Sequence, residues 1–303
     1  MLRSFLSRKA VFIAIILLPI MILVGLFIYY PAIDTFRTSL TSRNLRINRP
    51  AQFIQFDNYS KLLSDPIFWE VTGRSLLVVA LTLPLEMLIA FWVAMLLNEK
   101  FRGRAIVRTL VLVPWMVPPV VNGFLWGWLL NGEYGALNGL LYQFGLIHEY
   151  KAWLQDPYMQ IFWASVVQTW TRFPFPTIVL LAGMQGIPND LYEAAKVDGA
   201  SSWQSLTQIT IPMLLPSFAI ALIVEFIAAF QIFDVIWTLT AGGSAGGSVN
   251  PFTRTLMIYN YELVFRDLRI GLGAALSYLI LIMSLVVGFF FVRRLYNQGL
   301  REA

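Results

Sequence analysis

Six apolar runs, each about 20 residues long, decide what this chain can fold into, because a stretch of that length crosses a bilayer as one helix. They fall at roughly 11–30, 75–97, 107–130, 158–184, 213–240 and 270–292. Only 13% of the 303 residues are charged, where a soluble domain carries roughly a quarter. The fold class expected is therefore all-α integral membrane, with about six transmembrane helices. The first run follows Arg3, Arg8 and Lys9 in the manner of a signal peptide. Its apolar core is longer than about 15 residues and no A-x-A site follows, so it reads as a retained helix.

With the N-terminus inside, eleven lysines and arginines lie in inside segments and ten outside. The inside segments are much shorter and hence denser in bases, which favours cytoplasmic N- and C-termini. The net charge of +5 reads as charge at a membrane surface, not as a nucleic-acid face. The chain has no cysteine and a single histidine, His148, which excludes disulfides, thiolate metal sites and cysteine nucleophiles. No metal site and no catalytic residue are expected. A phosphate-binding P-loop is also missing. Gly127 and Gly132 have the glycine spacing, but Glu133 and Tyr134 follow where Lys and Ser/Thr belong.

Between the spans the chain reads as one membrane domain, 1–303. Segment 31–74 is expected to be a polar outside loop, 133–150 to carry a short apolar stretch, and 241–251 (AGGSAGGSVNP) to be a flexible outside loop. Prolines 19, 84, 114, 118, 119, 174, 176 and 216 fall within or at the ends of spans. Each is expected to kink or break its helix, which suits a transporter cavity and equally fits ordinary helix deformation. Gly123 with Gly127, and Gly271 with Ala275, read as close helix packing.

Ionisable groups in the spans are few: Glu86, Arg172, Glu225 and Asp234. Each needs a partner or a wet cavity. For Arg172, Gln231 and Asp234, cavity lining and structural pairing stand side by side. A proton relay would also use such groups.

The inside loop at about 185–212 is the most informative segment. It contains PNDLYEAAKVDGASSWQSLTQITIP: a helix starting at Pro188–Asp190, a turn at Gly199, and a second amphipathic stretch expected to end at Pro212. Its acids outnumber its single lysine, which suits docking to a protein better than to a membrane surface. Glu193-Ala194-Ala195, then Gly199 after three residues, then Ile209-Thr210-Ile211-Pro212 after nine more, resembles the EAA signature of binding-protein-dependent ABC importer permeases. Ile211 stands where that pattern has leucine. QFDNYSKLLSDPIFW at 55–69, with Gln55 where glycine is usual, resembles the maltose/maltodextrin-type permeases. So do AKVDGASSW, FQIFDVIWTLTAGG and IGLGAALSYL. The similarity covers most of residues 11–292 and is nearest to the shorter, six-helix members.

This resemblance implies a type I ABC importer permease fold and a bacterial or archaeal inner-membrane location. It implies a second permease, two ABC ATPase subunits and an external solute-binding protein as partners, with membrane lipid around them and no nucleic acid. ATP and Mg would sit on the ATPase, and no cofactor on this chain. Asp190, Glu193, Ala194, Ala195, Asp198 and Gly199 would seat in the ATPase. Trp170, Arg172, Phe175, Gln231 and Asp234 would line the path of a sugar. The alternatives are an ABC permease for a phosphate ester or polyamine, and an ion-coupled carrier built on Arg172, Glu225 and Asp234.

Overall fold

The structure is a computed structural model that describes residues 2–47, 49–240 and 250–299. Among these the only β pairing is an isolated bridge, Thr41 to Phe53; the rest is helix and connection. The helices in chain order are α1 (Leu2–Val24), α2 (Tyr30–Ser39), α3 (Asp57–Ser64), α4 (Pro66–Asn98), α5 (Arg104–Met116), α6 (Pro119–Leu129), α7 (Ala136–Gln143), α8 (Pro157–Arg172) and α9 (Pro174–Gln185). They continue with α10 (Asn189–Val197), α11 (Ser202–Ser205), α12 (Ile211–Phe230), α13 (Asp234–Thr240), α14 (Leu256–Tyr261) and α15 (Ile270–Gly299). π-Helical turns at Gly25–Tyr29, Leu206–Thr210 and Glu262–Arg266 join or extend neighbouring helices. Most of the segment expected as a flexible outside loop, 241–249, lies outside the described residues.

By packing, the chain divides into two units, residues 1–66 with 260–281, and residues 67–259 with 282–303. In the first unit, α1, the π-turn and α2 form one rod whose apolar side chains from Val11 to Phe36 are exposed. Such a surface is stable in hydrocarbon and not in water. The rod runs to Ser39, and α3 and the start of α4 follow. Segment 31–74 is thus not the open loop expected from its polarity. The Tyr278 hydroxyl donates to the Ala32 carbonyl at 2.6 Å, and buried Asn58 donates from Nδ2 to the carbonyls of Ser39 and Thr41 at 2.8 and 2.9 Å. These bonds tie the end of the rod to the 41–44 loop and to α15.

The second unit shows what proline does and does not do. Pro84 and Pro216 sit inside uninterrupted helices, as Pro19 does in the first unit, so the breaks expected there do not occur. Pro118–Pro119 is different. Val117, held before a proline, is extended (φ −78°, ψ 126°), and α5 and α6 meet at 92°. The expected span 107–130 is therefore an elbow. Asn122 Nδ2 closes it by donating to the carbonyls of Pro114 and Val117, both at 3.3 Å. At Pro174 the chain barely pauses. Phe173 stays helical, its N–H reaching the Thr169 carbonyl at 2.9 Å, and α8 runs into α9.

Among the described residues four helical stretches are long and apolar enough to cross a membrane: Val11–Ser39, Pro66–Asn98, Ser202–Thr240 and Ile270–Phe290, with the α5–α6 elbow as a fifth if it counts as one span. The core of the second unit packs α9 against α12 and α6 against α13. At the latter contact a Cβ on Gly123 would land on the Thr238 hydroxyl, so glycine is what lets the two helices touch.

Candidate functional site

The loop at 185–212 folds as a helical hairpin tied by hydrogen bonds. Asp190 in the first turn and Lys196 in the last suit the α10 dipole. The helix ends in a Schellman turn: the Gly199 N–H reaches the Lys196 carbonyl at 3.1 Å, and the Ala200 N–H reaches Ala195 at 2.9 Å. Gly199 takes φ +75°, which a side chain opposes. Ser201 then caps α11 in a capping box with Gln204, at 2.8 and 3.3 Å. The Tyr192 hydroxyl, 2.9 Å from that of Thr210, pins α10 to the base of α12. No residue of α10 is buried. Glu193, Ala194, Asp198 and Gly199 are exposed, Ala195 is half-buried, and apolar Val197 is 88% exposed. Pro212 does not end the second stretch. The helix passes through the π-turn, whose i→i+5 bonding ends just before Pro212, and continues to Phe230.

The mid-span residues fall into three groups. Arg172 makes a bidentate pair with Glu225, Nε to Oε2 at 2.9 Å and Nη2 to Oε1 at 3.1 Å, which clamps the end of α8 to α12. Glu225 is fully buried. Glu86 on α4 lies within electrostatic reach of both partners, and neither of its buried oxygens meets a hydrogen-bond donor among the described residues. Trp170 is exposed with its ring 5.9 Å from that of Phe173, and Phe175 stands 5.9 Å from Trp115. Gln231 and Asp234 flank a break between α12 and α13, where Gln231 Nε2 lies 3.5 Å from the Ser284 hydroxyl. The Thr255 hydroxyl donates to the buried Ile232 carbonyl that the break frees, at 3.2 Å.

The structure thus joins Arg172 to Glu225 and keeps Asp234 out of that pair. Sequence reasoning left Thr255 and Ser284 unmarked. Short hydroxyl side chains on apolar helices carry no pattern that separates a backbone-satisfying role from any other.

Residues 86–302 match the family described as binding-protein-dependent transport system inner membrane component. The chain belongs to that family. Curated relatives agree along nearly its full length. The chain is 34% identical to the sulfoquinovosyl glycerol transport system permease protein of Agrobacterium fabrum, over 92% of this chain and 88% of that protein. It is 34% identical to the trehalose/maltose transport system permease protein of Thermococcus litoralis, over 92% of each. The backbone of this inner membrane component matches a chain in the crystal structure of a bacterial ABC transporter that imports the acidic polysaccharide alginate. The TM-score is 0.76 at 25% identity, over 97% of each chain. A second crystal structure, of the alginate transporter in complex with its oligosaccharide-bound periplasmic protein, matches with the same TM-score over 95% of this chain and 94% of that one.

Proposed function

We infer that this chain is one permease subunit of an ATP-driven importer that carries a sugar delivered by an external solute-binding protein. The observation that carries the reading is the α10 hairpin. It is stiffened at both turns, bonded to α12, and presents Glu193, Val197 and Asp198 with no cover from its own chain. A stiff, uncovered element at the foot of a span is what a motor subunit needs to push on. The reading assigns that push to two ATPase subunits, which hold ATP and Mg, and assigns the other half of the path to a second permease. Closure of the ATPase pair moves the hairpin and, through α12, biases a bistable membrane domain between outward and inward openings. The hairpin and both termini then face the cytoplasm of a bacterial or archaeal cell. Asp190, Glu193, Ala194, Ala195, Asp198 and Gly199 form the seat for the ATPase. Trp170, Phe175, Gln231 and Asp234 stand along the solute path, the aromatics offering stacking faces and the polar pair hydrogen bonds.

The relatives named above, permease proteins of sulfoquinovosyl glycerol and trehalose/maltose transport systems, support a sugar over a polyamine or a phosphate ester. The Arg172 pair argues the same way. Its guanidinium is already bound by Glu225 and is not a free anchor for an anion. An ion-coupled carrier would need no partner. Reconstituted alone in liposomes under an ion gradient, the chain is therefore expected to move no solute. Together with a second permease, ATPase and solute-binding protein it is expected to take up sugar on ATP addition. Robust uptake by the lone chain overturns the importer reading.

A further inference from the structure

We propose that the cavity at the end of the second unit farthest from the coupling hairpin binds one neutral saccharide unit, as a subsite separate from the mid-span residues. The inference rests on the sugar-import reading above. The cavity measures about 370 Å3, within the range of small-ligand clefts, roughly 300–1,000 Å3. It lies where the C-terminal end of α6, the N-terminal end of α8, the last turn of α13 and the segments 130–134 and 152–155 meet. α8 starts at this cavity and α9, which follows it after Phe173, ends just before the hairpin. At 1.5 Å per residue that is about 40 Å, the thickness of a bilayer with its headgroups. With the hairpin inside, the cavity opens at the outside mouth, where a solute first meets the permease.

Its lining fits one chemistry. Among the described residues no Asp, Glu, Lys, Arg or His lines it, and the one cation placed beside the lining, the Lys151 ammonium, lies over the Trp153 ring at 5.7 Å. Trp128 and Tyr134 supply aromatic faces, on which the C–H side of a pyranose stacks. Hydroxyl partners are supplied in both senses by the exposed Gln155 carboxamide. Gln160 is nine-tenths buried, and its Nε2 donates to the Leu154 carbonyl at 2.7 Å, which fixes that wall. Asn131 uses Oδ1 to accept from the N–H groups of Glu133 and Tyr134, at 2.8 and 3.2 Å, and its amide nitrogen has no partner among the described residues.

The wall is held in advance. Fully buried Asn138 on α7 donates to the carbonyls of Asn131 and Lys151 at 3.1 and 2.9 Å. It also accepts from the Trp153 indole at 2.9 Å, which locks two sides of the cavity and one aromatic ring together. Carboxamides open to the cavity, beside aromatic faces on a wall held in advance, are the arrangement that a sugar's hydroxyls and ring complete.

The test uses the assembled importer in lipid nanodiscs without its solute-binding protein. Maltose, trehalose and glucose 6-phosphate serve as probes in saturation-transfer NMR, and ATP-driven uptake of the same sugars through the full system is measured in parallel. Expected is transfer to the ring protons of a neutral disaccharide, weak or no transfer to glucose 6-phosphate, and a roughly fivefold to tenfold loss of apparent affinity in Trp128→Ala and in Gln155→Ala. Both side chains are exposed, and both variants are expected to assemble. Sugar uptake by the wild type, with no transfer to either disaccharide and with unchanged concentration dependence in both variants, overturns the subsite and leaves the importer reading standing. Absent transfer together with weakened attachment of the solute-binding protein in Trp128→Ala makes the cavity a protein-docking pocket and also overturns the subsite. Uptake of none of the sugars by the full wild-type system overturns the sugar reading and the subsite with it.

Discussion

Gln55 holds a left-handed backbone, φ +53°, at the position where the resembled permeases carry glycine. A side chain there costs about 1–2 kcal/mol, part of which glycine returns as unfolded-chain entropy. Gln55→Gly is expected to stabilise the protein by about 1 kcal/mol, seen as a raised thermal midpoint in detergent; a lowered midpoint would mean that the glutamine side chain holds the turn. The position was legible as an oddity of the sequence, but its dihedral angle was not. Arg172 and Glu225 were legible as ionisable residues in need of partners. Their pairing across 53 positions was not, because nothing local encodes it. Arg172→Met leaves a buried carboxylate uncompensated and is expected to cost about 3–5 kcal/mol, measured as loss of folded complex on heating. Adding Glu225→Leu should recover most of that loss. A double variant as unstable as the single one would mean that the pair is not what Arg172 contributes.

Helix breaks show where pattern reading stops. Proline marked Pro84 and Pro216 as kinks or breaks, and neither helix breaks there, since a single missing N–H is tolerated within long, packed helices. The interruption at 231–233 contains neither proline nor glycine, and none occurs between Ser217 and Thr240. What satisfies it is tertiary: Thr255, 23 positions away, takes up the freed Ile232 carbonyl. Thr255→Val orphans that buried carbonyl and is expected to cost about 1–3 kcal/mol in thermal unfolding, while Thr255→Ser keeps the bond. The hairpin at 188–212 was far more legible, because its turn chemistry is local: a helix start at Pro188–Asp190 and a turn at Gly199, with only the capping box of Ser201 and Gln204 left unread. Gly199→Leu forces a side chain into φ +75°, and Glu193→Lys reverses an exposed charge. Both are expected to reach the membrane normally, yet to lose ATPase on co-purification and to hydrolyse ATP without sugar uptake. Normal attachment and normal sugar-stimulated hydrolysis in both would remove the hairpin from the coupling path.

For the molecule as a whole, hydropathy was enough to place the chain in a bilayer, and the exposed apolar rod from Val11 to Phe36 agrees with that placement. What hydropathy does not carry is rotational phase, and here the π-turn at Leu206–Thr210 matters. The Ile211 N–H closes on the Leu206 carbonyl, five residues back, so the turn accommodates one residue more than an α-helix would. One residue inserted into a plain α-helix would rotate everything beyond it by about 100°. The wider turn takes that residue in and leaves the hairpin and the Arg172 face in nearly the relation an unbroken helix would give them, much as a leap day keeps a calendar in step with the seasons. A variant lacking Gln208 is expected to close as an ordinary α-turn with the two still in step, and a push delivered at the hairpin would then reach the Arg172 face from the same side as before.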